Sequence, residues 1–448
     1  MRKMNPPQML ALSFLCAILA GAGILSLPAA TAGPGRIPFI DSLFTSTSAV
    51  CVTGLIVADT GTTFSALGTW VILALFQIGG LGIMTFSMLF AVLMGRKIGF
   101  SETDVIRSSV DKHSVIGLEK LIKYIVVIAL SVELVGAGLL FLRWSSVTSW
   151  PLAEVLRQSV FHAVSGFCNA GFSLFSDSLK AFRGDPVINL VMMGLIVIGG
   201  IGFVVIMDVA GLFSKKGRTR RLSLQSRIVV LTSAALIAAG AALIFFFEKN
   251  NSLAAMGPGE RLLTSVFQSV TARTAGFNTI RISLMSAPSQ LVLIFLMFIG
   301  ASPGSTGGGI KTCTFAVLAA TICAIVRNRE RTEIFGRSVP AQVIKEVLVI
   351  VFLAIMWIFA ATLVLAYVER NNPLIAGNLI NALFEVVSAF GTVGLSTGVT
   401  EGLSFAGKVC VIMTMYVGRI GPLTMALAIA SRERPDRYVY PEENVMVG

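Results

Sequence analysis

Four stretches of the chain share a pattern in which a phenylalanine is followed nine or ten residues later by a glycine: LFTSTSAVCVTGL (43–55), VFHAVSGFCNAGF (160–172), VFQSVTARTAGF (266–277) and LFEVVSAFGTVGL (383–395). The glycines are Gly54, Gly171, Gly276 and Gly394, at intervals of 117, 105 and 118 residues. Glycine adopts backbone angles closed to other residues, so it can end a short helix with carbonyl oxygens turned inward and space beside them. Four such turns around one axis would offer rings of carbonyl oxygen, which can replace water around a dehydrated cation. The residues that would line the rings are Val52, Thr53 and Gly54; Asn169, Ala170 and Gly171; Thr274, Ala275 and Gly276; and Thr392, Val393 and Gly394. None is charged, and short helices ending there would aim partial negative charge at the centre, which favours a cation. A side-chain hydroxyl in place of a glycine would narrow the ring, so glycine in all four copies predicts potassium over sodium. Glycine is also common where membrane helices pack closely, but four copies in register argue against packing alone.

A second feature follows each copy at nearly constant distance. Ile78-Gly79-Gly80-Leu81-Gly82, Ile198-Gly199-Gly200-Ile201-Gly202, Ile299-Gly300-Ala301-Ser302-Pro303-Gly304 and Val417-Gly418-Arg419-Ile420-Gly421 begin their glycines 25, 28, 24 and 24 residues past the first set. They predict a repeated bend. In the third copy the helix meets Gly300, Ala301, Ser302, Pro303, Gly304, Ser305, Thr306, Gly307, Gly308, Gly309, Ile310, Lys311 and Thr312 in succession. Each glycine disfavours a helix by about 1 kcal/mol and proline by about 3 kcal/mol relative to alanine, so this segment is expected to be an unwound loop within the membrane. It contains G-x-S-x-G, but a nucleophile elbow needs a strand-turn-helix setting and a histidine. The two histidines are His113, expected on the cytoplasmic side, and His162, in a short helix on the outer side. It also nearly spells a phosphate loop, whose register Ile310 breaks. Arg419 occupies the position that is Gly80, Gly200 and Ala301 in the other copies. A fixed cation in a cation pathway is a barrier, and Arg419 with the 300–312 loop is expected to form a constriction that opens when the loop moves. The competing reading is a structural arginine paired with Asp208, Glu133 or a carbonyl.

The surrounding chain must place these segments in a bilayer. Of 448 residues 55% are hydrophobic, the mean hydropathy is +0.84 and only 13% are charged, about half of the roughly 25% expected of a soluble domain. This excludes a disordered chain, a disulfide-stapled secreted domain and a soluble enzyme. Apolar runs near 9–27, 69–94, 122–142, 187–213, 228–247, 289–326, 347–368 and 409–430 are each long enough to span. The first run is longer than a signal-peptide core, so it is expected to be retained. Non-helical backbone survives at membrane depth only where it is buried or lines water. The expected fold class is therefore an all-α membrane protein of four tandem helix–pore loop–helix units around a central cation pore, with eight transmembrane helices and four re-entrant helices. The units are 1–100, 101–222, 223–336 and 337–448, the last with a carboxyl-terminal tail. Of the 35 lysines and arginines, 22 lie in alternate segments, 11 in the opposing ones, and Lys311 and Arg419 within spans. By the positive-inside rule both termini are cytoplasmic, and the net charge of +12 reports topology rather than nucleic-acid binding. The six cysteines lack metal-ligand spacing and read as free thiols.

Thr53-Gly54-Leu55, Cys168-Asn169-Ala170-Gly171-Phe172, Arg273-Thr274-Ala275-Gly276-Phe277-Asn278 and Phe390-Gly391-Thr392-Val393-Gly394-Leu395, with Gln77 to Gly82 and Gly418 to Leu423, resemble the Trk/Ktr/HKT superfamily of potassium transporters. The likeness covers essentially the whole chain and, with eight spans, is greatest to the shorter, Ktr-type bacterial membrane subunits. It implies potassium (K+) as the transported ion, sodium (Na+) as an activator and a homodimer with one pore per protomer in the bacterial inner membrane. It further implies a cytosolic, KtrA-like ring of nucleotide-binding regulatory domains, the nucleotide being bound by that partner and not by this chain. It supports an intramembrane gating loop facing an arginine. The alternative class is a secondary transporter coupled stoichiometrically to Na+ or H+, for which Glu133 and Asp208 are the candidate midplane acids.

Other residues invite two readings each. Arg273 is expected to brace its filter from behind by bonding carbonyls. Glu385 is either a second brace or a charge that enriches cations at the mouth. Asp59 and Asp177 are either cation attractors or solvated turn residues. Gln77 is either a cavity ligand or a packing residue, and Lys311 is expected to snorkel towards the cytoplasm. The basic runs Lys215 to Arg221 and Arg327 to Arg337 would touch anionic lipid or dock the regulatory ring, and the resemblance implies that the polar tail Tyr438 to Gly448 packs at a dimer seam.

Overall fold

The computed structural model describes residues 6–33, 36–93, 115–213 and 222–429. Arg2 and Lys3, the basic positions within 96–112, 215–221 and 432–437, His113 and the tail Tyr438 to Gly448 lie outside them.

The chain begins with α1 (Pro6–Leu25), the short α2 (Phe39–Val50) and α3 (Ala66–Leu93). The order long, short, long recurs as α4 (Val115–Val147), α5 (Leu152–Cys168) and the broken pair α6 (Pro186–Ile201) and α7 (Phe203–Phe213). It recurs again as α8 (Leu224–Glu248), α9 (Pro258–Thr271) and the separated α10 (Ala287–Phe298) and α11 (Thr312–Val326). A two-stranded hairpin, Glu333–Ile334 with Arg337–Ser338, leads to α12 (Ala341–Val368), α13 (Leu379–Gly391), α14 (Phe405–Ile420) and α15 (Pro422–Ile429).

Among the described residues, α1, α4, α8 and α12 are each long and apolar enough to cross a membrane, and α6 with α7 makes a fifth candidate bent by 103°. The long helices turn apolar side chains such as Leu134, Leu142, Phe352 and Phe359 outward, as lipid-facing surfaces require. Phe44, Phe161, Phe267 and Phe384, one on each short helix, are buried inside. Truncation of such a side chain costs about 3–5 kcal/mol, which anchors each short helix in the core; Phe161 on α5 meets Phe76 on α3 edge-on, with ring centroids 5.6 Å apart.

The units close on one another. The second long helix of each packs on the short helix of the next: α3 on α5, α6 on α9, α10 on α13 and α14 on α2. At the last of these junctions Lys408 on α14 pairs with Asp41 on α2 at 2.5 Å, both largely shielded from solvent.

The expected interruption is present in three of the four second helices. Gly202 and Gly421 break theirs with φ of 89° and 92°, angles open only to glycine. In the third unit residues 299–311 are non-helical, and α3 runs unbroken through Gly79, Gly80 and Gly82. A lone glycine weakens a helix by only about 1 kcal/mol, so a break needs a further cause. After Gly202 the N–H of Phe203 is taken by the Gly304 carbonyl at 3.0 Å. After Gly421 comes Pro422, which has no N–H to give. Gly82 is followed by Ile83, and neither cause applies.

Candidate functional site

The short helices end in closely similar turns. In α2, α5 and α13 the N–H groups of Thr53, Ala170 and Val393 reach back to the carbonyls of Ser48, Ser165 and Ser388 at 2.7, 2.8 and 2.9 Å. Those of Val52, Asn169 and Thr392 bond Ala49, Gly166 and Ala389 at 2.9, 3.2 and 3.1 Å. This pairing is the Schellman termination, which requires a left-handed residue after the helix. The left-handed residues are Val52 (φ 56°), Asn169 (φ 58°) and Thr392 (φ 49°), with Thr274 (φ 74°) at the shorter third turn. A β-branched side chain in that region is an outlier of order 1–3 kcal/mol, held in place by its surroundings.

Two residues further on, Gly54, Gly171, Gly276 and Gly394 have φ of 87°, 71°, 79° and 93°, and the four converge. A Cβ on Gly54 would lie closer than 3.0 Å to the Ala170 carbonyl oxygen, one on Gly171 to Ala275, one on Gly276 to Val393, and one on Gly394 to Thr53. Each glycine thus sits against the carbonyl of the next unit, and the fourth returns to the first. Thr53, Ala170, Ala275 and Val393 are fully buried, so their carbonyls form one closed, uncharged ring. Eight of the twelve residues expected to line the rings meet in this way, and the other four, Val52, Asn169, Thr274 and Thr392, lie instead beside Gly79, Gly200, Gly307 and Gly308.

Each turn is held from behind by a hydroxyl on its own short helix. Ser48 and Ser388 accept from the Gly54 and Gly394 N–H groups at 3.0 and 3.2 Å. Ser165 and Thr271 instead donate to the Phe172 and Phe277 carbonyls at 2.7 and 2.6 Å. The adjacent first and fourth units share one polarity, and the second and third share the other. The sequence reading missed these four residues, although a hydroxyl five or six positions before each glycine was visible.

The 299–311 segment lies against residues that precede the ring glycines: a Cβ on Gly307 would meet Thr274 and one on Gly308 would meet Thr392. It is pinned to itself by Ala301 N–H to Gly308 O at 3.3 Å and by Thr312 Oγ1 to Ser302 Oγ at 2.9 Å. It reaches the second unit through Ser302 and Thr306 N–H groups to the Gly200 and Gly199 carbonyls at 3.0 and 3.3 Å, and Thr306 Oγ1 donates to Phe167 O or Gly199 O, each at 3.2 Å. It reaches the fourth unit through the Gly308 N–H, which donates to Thr392 Oγ1 at 3.1 Å. Lys311 does not snorkel outward: its Nζ folds back onto the Gly307 and Gly308 carbonyls at 2.7 and 3.4 Å, because unwinding leaves these acceptors without helical donors.

Arg419 is buried, with Nη1 donating to Thr306 O at 2.5 Å and Nη2 to Gly79 O at 2.7 Å. Of the three partners weighed for a structural arginine, carbonyls are the ones observed. Asp208 is engaged by the Ser223 and Ser226 hydroxyls at the start of α8. Arg273, also buried, donates from Nη2 to Gly300 O at 3.3 Å, so it braces the entry to the loop rather than a filter carbonyl.

Glu133 lies on α4 beside the outward-facing Leu134 and Val135, yet is itself buried. Gln77 Nε2 donates to both its oxygens at 2.9 and 3.1 Å, and Cys168 Sγ donates to Gln77 Oε1 at 3.0 Å. Gln77 is therefore a bridge between a buried carboxyl and the thiol that precedes Asn169. Past the first glycine turn, Asp59 caps the turn Thr60–Thr63 by accepting from Thr62 N at 2.8 Å. Asp177 pairs with Lys180 at 2.6 Å, which holds its carboxyl below the usual range.

A family model for TrkH, described as a cation transport protein, matches residues 22–438. The chain belongs to the TrkH family. Among its TrkH-type relatives, the Ktr system potassium uptake protein B of Bacillus subtilis (strain 168) is 38% identical over 452 residues, covering 100% of this chain and 97% of that protein. The potassium/sodium uptake protein NtpJ of Enterococcus hirae is 36% identical over 450 residues, covering 100% and 98%. The crystal structure of the potassium transporter TrkH from Vibrio parahaemolyticus matches with a TM-score of 0.74 over 96% of this chain and 86% of that one, at 19% identity, a likeness of fold. TrkH-family chains are membrane cation transporters, not enzymes.

Proposed function

We propose that this chain is the K+-translocating membrane subunit of a Ktr-like uptake system, and that ions pass through the ring at Gly54, Gly171, Gly276 and Gly394. The observation that carries this reading is the cyclic approach of each glycine to the next unit's carbonyl. It supports a coordination shell of fixed radius made of backbone oxygen, with the carboxyl ends of four short helices adding favourable potential for a cation. The filter comprises Val52 to Gly54, Asn169 to Gly171, Thr274 to Gly276 and Thr392 to Gly394, one segment from each of the four tandem units 1–100, 101–222, 223–336 and 337–448.

The gate in this reading is the Gly300 to Lys311 loop with Arg419. The guanidinium adds fixed positive charge below the filter, and its two carbonyl bonds tie the loop to the frame. Passage requires the loop to leave the axis. A cytosolic nucleotide-binding ring of the KtrA type would bias that movement, with Na+ as activator and two protomers side by side in the bacterial inner membrane, both termini cytoplasmic. The curated relatives' names, potassium uptake and potassium/sodium uptake, support the ion assignment. A stoichiometrically Na+- or H+-coupled transporter has one observation in its favour, the buried Glu133 bonded towards Cys168.

Uptake by a potassium-uptake-deficient cell expressing the chain, with and without a regulatory subunit, tests the proposal. Rescue that is lost in Gly394→Ser supports the filter. Failure of rescue with any partner counts against the K+ reading, and a fixed Na+ or H+ count per K+ would favour the coupled transporter.

A further inference from the structure

In three units the residue immediately after the buried phenylalanine of the short helix bonds the segment just outside the ring, and this position is chemically different in all four. In the second unit His162 Nε2 lies 3.0 Å from Ser173 Oγ, whose oxygen also accepts the Phe175 N–H at 3.0 Å. In the third, Gln268 Nε2 donates to Thr279 Oγ1 at 3.2 Å. In the first, the Thr45 hydroxyl is buried without a hydrogen-bond partner. The fourth holds Glu385, which is 0% exposed and takes four donors: Ser396 Oγ at 2.6 Å, Thr397 N at 2.9 Å, Thr397 Oγ1 at 3.3 Å and Thr400 Oγ1 at 2.6 Å. The outer segment beyond Gly394 is wrapped around one carboxylate, and Ser396 Oγ accepts the Gly398 N–H at 2.9 Å as Ser173 does that of Phe175.

We propose that Glu385 is a positioning residue for ion selection: its carboxylate fixes the segment directly outside Gly394 and thereby sets both K+ affinity and the preference for K+ over Na+. This rests on the K+ pathway proposed above. Gly394 leans on the Thr53 carbonyl of the first unit, and the first unit's own tether position, Thr45, makes no bond. The Lys408–Asp41 pair ties α14 to α2 at the junction of the fourth and first units, but of the two tether positions there only Glu385 holds the segment that follows its glycine. A carbonyl ring that favours the larger ion must resist closing on the smaller one, and that resistance is weakest where the outer segment is free to move. Hydrogen bonds to a charged acceptor are among the stronger kind, which suits a carboxylate that holds this segment with four donors.

The test compares wild type, Glu385→Ala, Glu385→Gln and Thr400→Val. Initial K+ uptake is measured against K+ concentration, with Na+ as competitor, and the purified protein's Tm is measured in K+ and in Na+. Glu385→Ala is expected to raise the half-saturating K+ concentration about tenfold and to lower the K+ over Na+ preference about tenfold. Glu385→Gln retains one acceptor oxygen and is expected to stay within about threefold of wild type. Thr400→Val is expected to shift both quantities in the direction of Glu385→Ala, and the excess Tm in K+ over Na+ to shrink in parallel. Wild-type half-saturation and preference in Glu385→Ala at equal membrane abundance would overturn the proposal. If that variant does not reach the membrane, unchanged values in both Glu385→Gln and Thr400→Val would overturn it. A wild-type protein that takes up no K+ and is not stabilised by it would defeat the underlying pathway instead, a result distinguishable from failure of the tether.

Discussion

Arg419 donates from Nη1 to the carbonyl oxygen of Thr306 at 2.5 Å, joining the fourth unit to the unwound segment of the third. Its other terminal nitrogen holds Gly79 O at 2.7 Å, so one side chain fastens three units. Arg419→Ala removes both donors and the buried charge. The expected outcome is K+ uptake at least about threefold faster than wild type and less dependent on a regulatory partner. The Thr306 carbonyl left unpaired would also lower stability by about 1–3 kcal/mol, whereas Gly79 O stays within the unbroken α3. Arg419→Lys can reach one carbonyl and should fall between. Unchanged flux and unchanged partner control would remove the loop and Arg419 from any gating role.

Ring substitutions should follow the cyclic geometry. In Gly394→Ser the new Cβ meets the Thr53 carbonyl, and at φ 93° the serine backbone is strained as well. Gly54→Ser meets Ala170 O in the same way. Each is expected to reduce K+ uptake about tenfold or more, or to narrow the K+ over Na+ preference. Parallel K+ and Na+ uptake assays decide this, and two variants with normal rates and preference would contradict the ring.

The supporting hydroxyls differ in polarity, and their losses should differ in kind. Ser388→Ala strands the N–H of Gly394, whereas Ser165→Ala strands the carbonyl of Phe172. Either is expected to lower stability by about 1–3 kcal/mol. Ser165→Thr, which keeps a donor, should not. Thermal unfolding in detergent measures each, and a Tm equal to wild type in both alanine variants would show the bonds to be idle.

The Glu133, Gln77 and Cys168 chain predicts strong non-additivity. Gln77→Leu removes the amide nitrogen that donates to both oxygens of a buried carboxyl, and a loss of about 3 kcal/mol is expected. Adding Glu133→Leu removes the stranded group and should restore most of that loss. Denaturant or thermal unfolding of the single and double variants forms the cycle, and additive effects would contradict the coupling.

Much of this site was legible because it is written four times. Gly54, Gly171, Gly276 and Gly394 announce themselves by spacing, and Arg419 by standing where the other copies hold Gly80, Gly200 and Ala301. What stayed hidden has physical causes. Val52 and Thr392 in left-handed backbone contradict the preference of β-branched residues, so their conformation follows only from the packed turn. The partners of Arg419 are carbonyls, which every residue owns and no sequence position advertises. Gln77, Glu133 and Cys168 lie on three different helices and meet only after folding. The expected bend at Gly82 failed because a helix breaks where its N–H groups are claimed elsewhere or missing, as at Phe203 and Pro422, and not merely where glycine is present.

The 299–311 segment bonds to Gly199 and Gly200 on one side and to Thr392 and Arg419 on another. A ring of four identical subunits would have to bring four such crossings to a space that one already fills. Fusing the quadrants into a single polypeptide lifts that constraint, allowing one to depart from the rest while three serve as scaffold. The same freedom lets threonine, histidine, glutamine and glutamate stand at one equivalent position. Approximate symmetry here provides the cyclic contact of four glycine turns, and departure from it provides the single crossing segment and the four unlike tether positions.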